Sequence, residues 1–234
     1  PIYSIINYFE EFLCRRSDAV IIVGENILNT FKKIPKRISQ IGNYPEAYSV
    51  NVRKSDDSIL KLFYIGYISK HRGIERTIDA IKNLDRVELI IVGRIIDTEF
   101  FNQFSTMPNV KYKGELSNLD ASTEEANSDA MVVLYDLQVK ANALAYPNKT
   151  FEAMMFEIPL ITNMLPELIT DTDCGIVVDY NDLNQIKTAV ISLRDNKELR
   201  KRLGANGRKA FEQKYNWNIM EQELYKIYDS LLSN

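Results

Sequence analysis

Residues 60–93 read LKLFYIGYISKHRGIERTIDAIKNLDRVELIIVG. An apolar run ends in glycine, a polar turn follows, and a stretch with helical spacing leads into a second apolar run that also ends in glycine. That is a strand–helix–strand unit, and a strand returning through a helix lies parallel to the first. The alternation continues downstream, with strands expected at 110–113, 130–135, 160–162 and 175–178. Helices are expected near 98–105, 119–126, 148–156, 167–171 and 183–194. Counting 60–67 and 87–93, six strands in this rhythm predict an α/β fold, a Rossmann-like doubly wound parallel sheet in the order 3-2-1-4-5-6. The ligand crevice of such a sheet lies between the carboxyl ends of its first and fourth strands. Here the first strand opens into loop 66–73 (GYISKHRG) and the fourth into loop 136–147.

The second loop delivers the chain into residues 146–162, YPNKTFEAMMFEIPLIT. Pro147 closes the loop, Asn148 is expected to cap a short helix, and a buried strand follows Pro159. Phe151, Met154, Met155 and Ile158 recur at the spacing of a buried helical stripe. Lys149 and Glu152 are left on another face near the helix start, where unpaired backbone N–H groups attract anions. Such a cation and carboxylate could hold a phosphate and a sugar hydroxyl together. The bland alternative is an i, i+3 ion pair on a solvated face.

Before residue 60 the pattern predicts a helix at 2–13, strands at 18–23 and 37–41, and a short helix at 25–32. The polar stretch 43–58, with Pro45 and RKSDD, is the expected linker. The tail from 197 to 232 is expected to hold two or three helices that break near Asn216 and Trp217.

The chain has 234 residues, 45% hydrophobic and 26% charged, as in an ordinary globular protein with a full core. A net charge of −3 argues against a general nucleic-acid binder. Cys14 and Cys174 are the only cysteines and His71 the only histidine, so no metal site is expected and an intracellular setting is. No apolar run approaches the roughly 18 residues of a membrane span. The opening at Pro1, in mid-helix, suggests a piece of a longer protein. The basic run KKIPKR at 32–37 could rest on anionic lipid, although exposed charge is the commoner explanation.

These motifs, in this order, resemble the second half of a retaining glycosyltransferase of family 4 (glycosyltransferase group 1). The likeness runs through FYIGYISKHRGIERTIDAI, LIIVGR, VKYKGELS, the P-x-K-x-x-E of 147–152, GIVVDYNDLNQIKTAV and the tail NGRKAFEQKYNWNIMEQELYKIYDSLL. SDAVIIVGENI and IGNYPE resemble the end of the family's first domain. The resemblance implies the second half of a B-type glycosyltransferase fold. Residues 1–42 would end the N-terminal acceptor domain and 43–215 would form the nucleotide-sugar domain. Residues 216–234 would be the helix that crosses back.

It implies a hexosyltransferase-type enzyme moving sugar from a nucleotide diphosphate sugar to a hydroxyl acceptor, lipid-linked or polysaccharide, with retention and without a metal or other cofactor. It also implies a cytoplasmic location, with the inner membrane face left open. Glu152 would grip the ribose, Arg72 and Lys149 the diphosphate, and Gly66 and Gly93 would admit the ligand to the backbone. Lys70, His71, Asn142 and Tyr146 lie on the same loops, where loop packing explains them equally well. The missing N-terminal domain would carry acceptor binding, which leaves this piece inactive alone.

Three positions depart from the family pattern. Leu144 stands where a first Glu often is, Tyr67 where the donor loop has Arg, and Glu157 where the helix exit has Gly. They favour a rival reading, a non-catalytic glycosyltransferase-like partner subunit. An NAD-dependent oxidoreductase fits poorly, because the first strand does not end in G-x-G-x-x-G.

Overall fold

The structure is a computed structural model that describes residues 2–31, 37–51 and 58–233. The RKSDD segment of the expected linker and all of the basic run except Arg37 lie outside the described residues. In chain order, α1 (Ile2–Cys14) precedes β1 (Val20–Ile22), a 3-10 helix at Glu25–Thr30, and β2 (Ile38–Gln40). Then come β3 (Leu60–Ile65), α2 (Ile74–Ile81), β4 (Val87–Val92), α3 (Thr98–Asn102), β5 (Val110–Tyr112), α4 (Asn118–Ala126) and β6 (Ala130–Val133). The chain continues through α5 (Lys140–Ala143), α6 (Asn148–Met155), β7 (Leu160–Thr162), α7 (Pro166–Thr172) and β8 (Gly175–Val177). It closes with α8 (Leu183–Asp195), α9 (Lys197–Gln213) and α10 (Trp217–Leu232).

The chain divides into two compact units, Pro1–Ala47 with Tyr215–Asn234, and Tyr48–Lys214. In the smaller unit β1 and β2 pair in parallel. Its two chain segments are tied by the Trp217 N–H donating to Pro45 O at 3.1 Å and by an edge-on contact of Tyr44 with Tyr215.

In the larger unit six strands form one parallel sheet in the order β5-β4-β3-β6-β7-β8. Renumbered from β3, that is 3-2-1-4-5-6, the doubly wound order expected from the alternation of elements. Leu62 and Phe63 of β3 are both fully buried although they point to opposite faces, which a sheet covered on both sides requires. Ile74, Ile78 and Ile81 of α2 turn to the core, as do Ile186, Val190 and Leu193 of α8. The stripe of Phe151, Met154, Met155 and Ile158 is buried throughout.

Several boundaries differ from the sequence expectation. The first strand of the sheet ends at Ile65, because the chain turns at Gly66 and the Tyr64 hydroxyl donates to Tyr67 O at 2.8 Å. Asn148 is the first residue of α6 and makes no side-chain cap; the preceding Pro147, with φ −72° and ψ 118°, is the capping position. The helix expected at 25–32 is a 3-10 helix ending at Thr30, closed by the Phe31 N–H donating to Leu28 O at 3.2 Å. Within the loop expected at 136–147 lies the short helix α5.

Candidate functional site

Gly66 and Gly93 end β3 and β4 with φ of 152° and 134°. A Cβ on Gly93 would stand 2.0 Å from Gly66 O, so only glycine lets these strand ends come so close. They line a cavity of about 510 Å³ at the carboxyl ends of β3, β4 and β6. Gly73 closes loop 66–73 with φ 77°, and its missing Cβ leaves room for Leu134 at the end of β6. The Asp136 N–H donates to His71 O at 3.1 Å, so the two loops expected to converge are packed together at the point where the strand order reverses.

Arg72 lines the same cavity. Its guanidinium carbon stands 4.8 Å from the Tyr135 ring centre, a cation–π contact that orients the plane while leaving N–H donors free. No carboxylate pairs with it among the described residues. Lys149, in the first turn of α6, also lines the cavity. Its ammonium donates to Glu152 Oε2 at 2.5 Å. Arg72, Lys149, Gly66 and Gly93 therefore meet at one cavity, and Glu152 reaches it only through Lys149. This i, i+3 pair is the bland arrangement foreseen above. It is also partly exposed and worth only about 0.2–0.5 kcal/mol, so a ligand can displace it.

The remaining loop residues have other roles. His71 holds a left-handed backbone, φ 67°, and its Nδ1 stands 2.8 Å from Asp136 Oδ2. Asn142 is 4% exposed and donates to the backbone oxygens of His71 and Asp136, which locks the two loops together. The Gln138 N–H and, next, His71 hold the Asp136 carboxyl below its ordinary pKa. Tyr146 stacks on Phe151 at 5.5 Å, and Lys70 is exposed outside the cavity lining. Leu144 sits just past α5, 38% exposed. Glu157 is exposed past the far end of α6, outside the cavity lining, whereas Tyr67 lines the cavity and is itself 60% exposed.

Sequence reasoning missed Arg94, Glu115 and Asn118, which line the cavity at its β4–β5 end. The signal was present, since Arg94 follows the glycine of the second strand and Glu115 follows that of the third. Burial pushes the Tyr64 hydroxyl, at the cavity floor, well above the ordinary tyrosine pKa. Among the described residues, no group of three or more His, Cys, Asp or Glu side chains could hold a metal ion. No helix among them is long and apolar enough to cross a membrane.

Residues 49–210, most of the chain, match the model of the family described as glycosyl transferases group 1. The chain belongs to that family. This group 1 chain is 26% identical over 231 residues to an uncharacterized glycosyltransferase of Methanocaldococcus jannaschii, covering 96% of itself and 63% of that protein. It is 25% identical over 181 residues to the capsular polysaccharide biosynthesis glycosyltransferase CapM of Staphylococcus aureus, covering 72% of itself and 46% of the relative. It thus spans about half to two thirds of these relatives' lengths. Among solved structures, Anabaena HepE in complex with UDP-glucose is similar with a TM-score of 0.79 at 14% identity, over 96% of this chain and 67% of that one. Likeness at that identity establishes a shared B-type glycosyltransferase fold.

Proposed function

We propose that this chain is the donor-binding part of a hexosyltransferase-type glycosyltransferase that moves a sugar from a nucleotide diphosphate sugar to a hydroxyl acceptor with retention of configuration. The observation that carries the reading is the meeting of Arg72, Lys149, Gly66 and Gly93 at one cavity where the sheet reverses its strand order. The solved complex of HepE with UDP-glucose supports a nucleotide sugar as donor. The name of the staphylococcal relative supports polysaccharide assembly as the setting.

In this reading the glycines admit the diphosphate to the strand ends, and Arg72 presents a planar fork to its oxygens. Lys149 adds a point charge beside the first turn of α6, whose N-terminus favours anions. As the bond from the anomeric carbon to the phosphate oxygen breaks, negative charge grows on the leaving diphosphate, and these fixed cations stabilise it without a metal. Glu152 accepts from the ribose hydroxyls once Lys149 has left it. Acceptor binding falls to the rest of the first domain, to which we assign the smaller unit.

Titration calorimetry with a panel of UDP- and GDP-sugars on wild type and Glu152→Ala tests this. Wild type should bind at least one donor, and the substitution should weaken it roughly ten- to hundredfold, the loss of one charge-assisted hydrogen bond. Failure of the full-length protein to bind any of them would instead favour a non-catalytic partner subunit.

A further inference from the structure

Helix α4 carries three carboxylates, Asp120, Glu124 and Glu125, and the fold buries only Glu125, which is 1% exposed. Its Oε1 has no hydrogen-bond partner among the described residues. Native proteins rarely leave a buried carboxyl oxygen unpaired, because desolvation is then uncompensated. Glu125 follows Ala121 by one helical turn, and Ala121 lines the cavity, so the two share the helix face turned toward it. The charged groups that act on Glu125 are Glu152 and Lys149, both on α6. A second buried oxygen without a partner among the described residues, Thr150 Oγ1, follows Lys149 in the same helix turn.

A carboxyl oxygen kept dry and unpaired beside an ion pair suggests a partner that arrives in another state. We propose that Glu125 is a positioning residue that takes over Lys149 when the ribose of the donor takes Glu152. The inference rests on the donor-site reading above. Lysine has three donors on a flexible stem, so one can reach Glu125 while another meets a phosphate oxygen. The exchange clears Glu152 for the ribose hydroxyls and keeps the Lys149 charge neutralised on its other side.

The exchange moves a proton. In the free protein, burial first and the Glu152 charge second raise the Glu125 carboxyl pKa well above its ordinary value, which favours the protonated form. When the ammonium arrives, the Glu125 O–H bond breaks and its proton leaves to solvent. No other group gains or loses a proton in this step, so at most one proton is released for each nucleotide bound.

Calorimetric titration of UDP and of GDP in two buffers of different ionisation enthalpy measures that proton. Wild type should release protons, at most one per nucleotide and more at lower pH within the native range, and E125Q none, with roughly tenfold weaker binding. K149A should lose the release as well, because Glu125 then keeps its proton, and adding E125Q to K149A should weaken binding no further. That second variant preserves the test should E125Q fail to fold. Unchanged release in E125Q or K149A, or additive losses in the double variant, would overturn the proposal. Wild type that binds neither nucleotide would overturn the donor-site reading first, and this inference with it.

Discussion

Glu157 carries a left-handed backbone, φ 60°, at the exit of α6. A side chain in that conformation costs roughly 1–2 kcal/mol, of which glycine's greater loss of chain entropy on folding returns part. Glu157→Gly should therefore stabilise the protein by about 0.5–1 kcal/mol, read as a higher urea midpoint with unchanged slope. The resemblance implied that a residue with a side chain stands where the family pattern has glycine, and the dihedral angle shows the consequence. Glu125 makes a pH prediction at the same scale. Burial and, next, the Glu152 charge push its folded pKa well above the ordinary 4.5, so between the two the native state binds more protons than the unfolded chain. That contribution is fully present below pH 4.5 and is lost as pH rises through the folded pKa. Denaturant midpoints at pH 5 and pH 8 should show E125Q gaining on wild type at the higher pH, and a difference between the two proteins that is the same at both pH values would contradict the assignment. Neither Glu125 nor the His71–Asp136 contact was legible beforehand, since the partners are brought together by the fold over separations such as 65 residues.

Elements were read well where apolar runs alternate with helical stripes, as in β3, α2 and β4. Helix α5 was missed because KANA is four residues long and offers no periodicity. Packing between α6 and α9 was also invisible, because it depends on glycines that look ordinary in a helix. A Cβ on Gly204 of α9 would stand 2.0 Å from Glu157 O, whereas one on Gly207 would meet only Cys174 and Met154 side-chain and Cα atoms at 3.3–3.5 Å. Gly204→Ala should therefore destabilise by about 1–3 kcal/mol through overpacking, against the helix propensity of alanine. Gly207→Ala should stay within about 1 kcal/mol of wild type, because propensity offsets the tighter fit. Thermal unfolding of both variants checks the contrast. At the start of α8, Asp182 accepts from the Asn184 and Gln185 N–H groups, so Asp182→Ala should lose about 1 kcal/mol by the same measurement.

For the molecule as a whole, the sheet order followed from the rhythm of its elements, and with it the place of the cavity. The β4–β5 wall of that cavity was passed over, although Arg94 and Glu115 each follow a strand-end glycine, because they and Asn118 look like solvated loop residues until three strand ends are brought side by side. In the proposed account the chain holds the donor and lacks most of the acceptor domain, so it should bind nucleotide sugar weakly and transfer nothing measurable. Turnover by this chain alone, on any acceptor, would contradict that division of labour. The most direct measurement is a crystal structure of the chain soaked with UDP or GDP. The account predicts a diphosphate against Arg72 and Lys149, with its ribose hydroxyls on Glu152. A nucleotide bound elsewhere, or an empty cavity at saturating concentration, would contradict it.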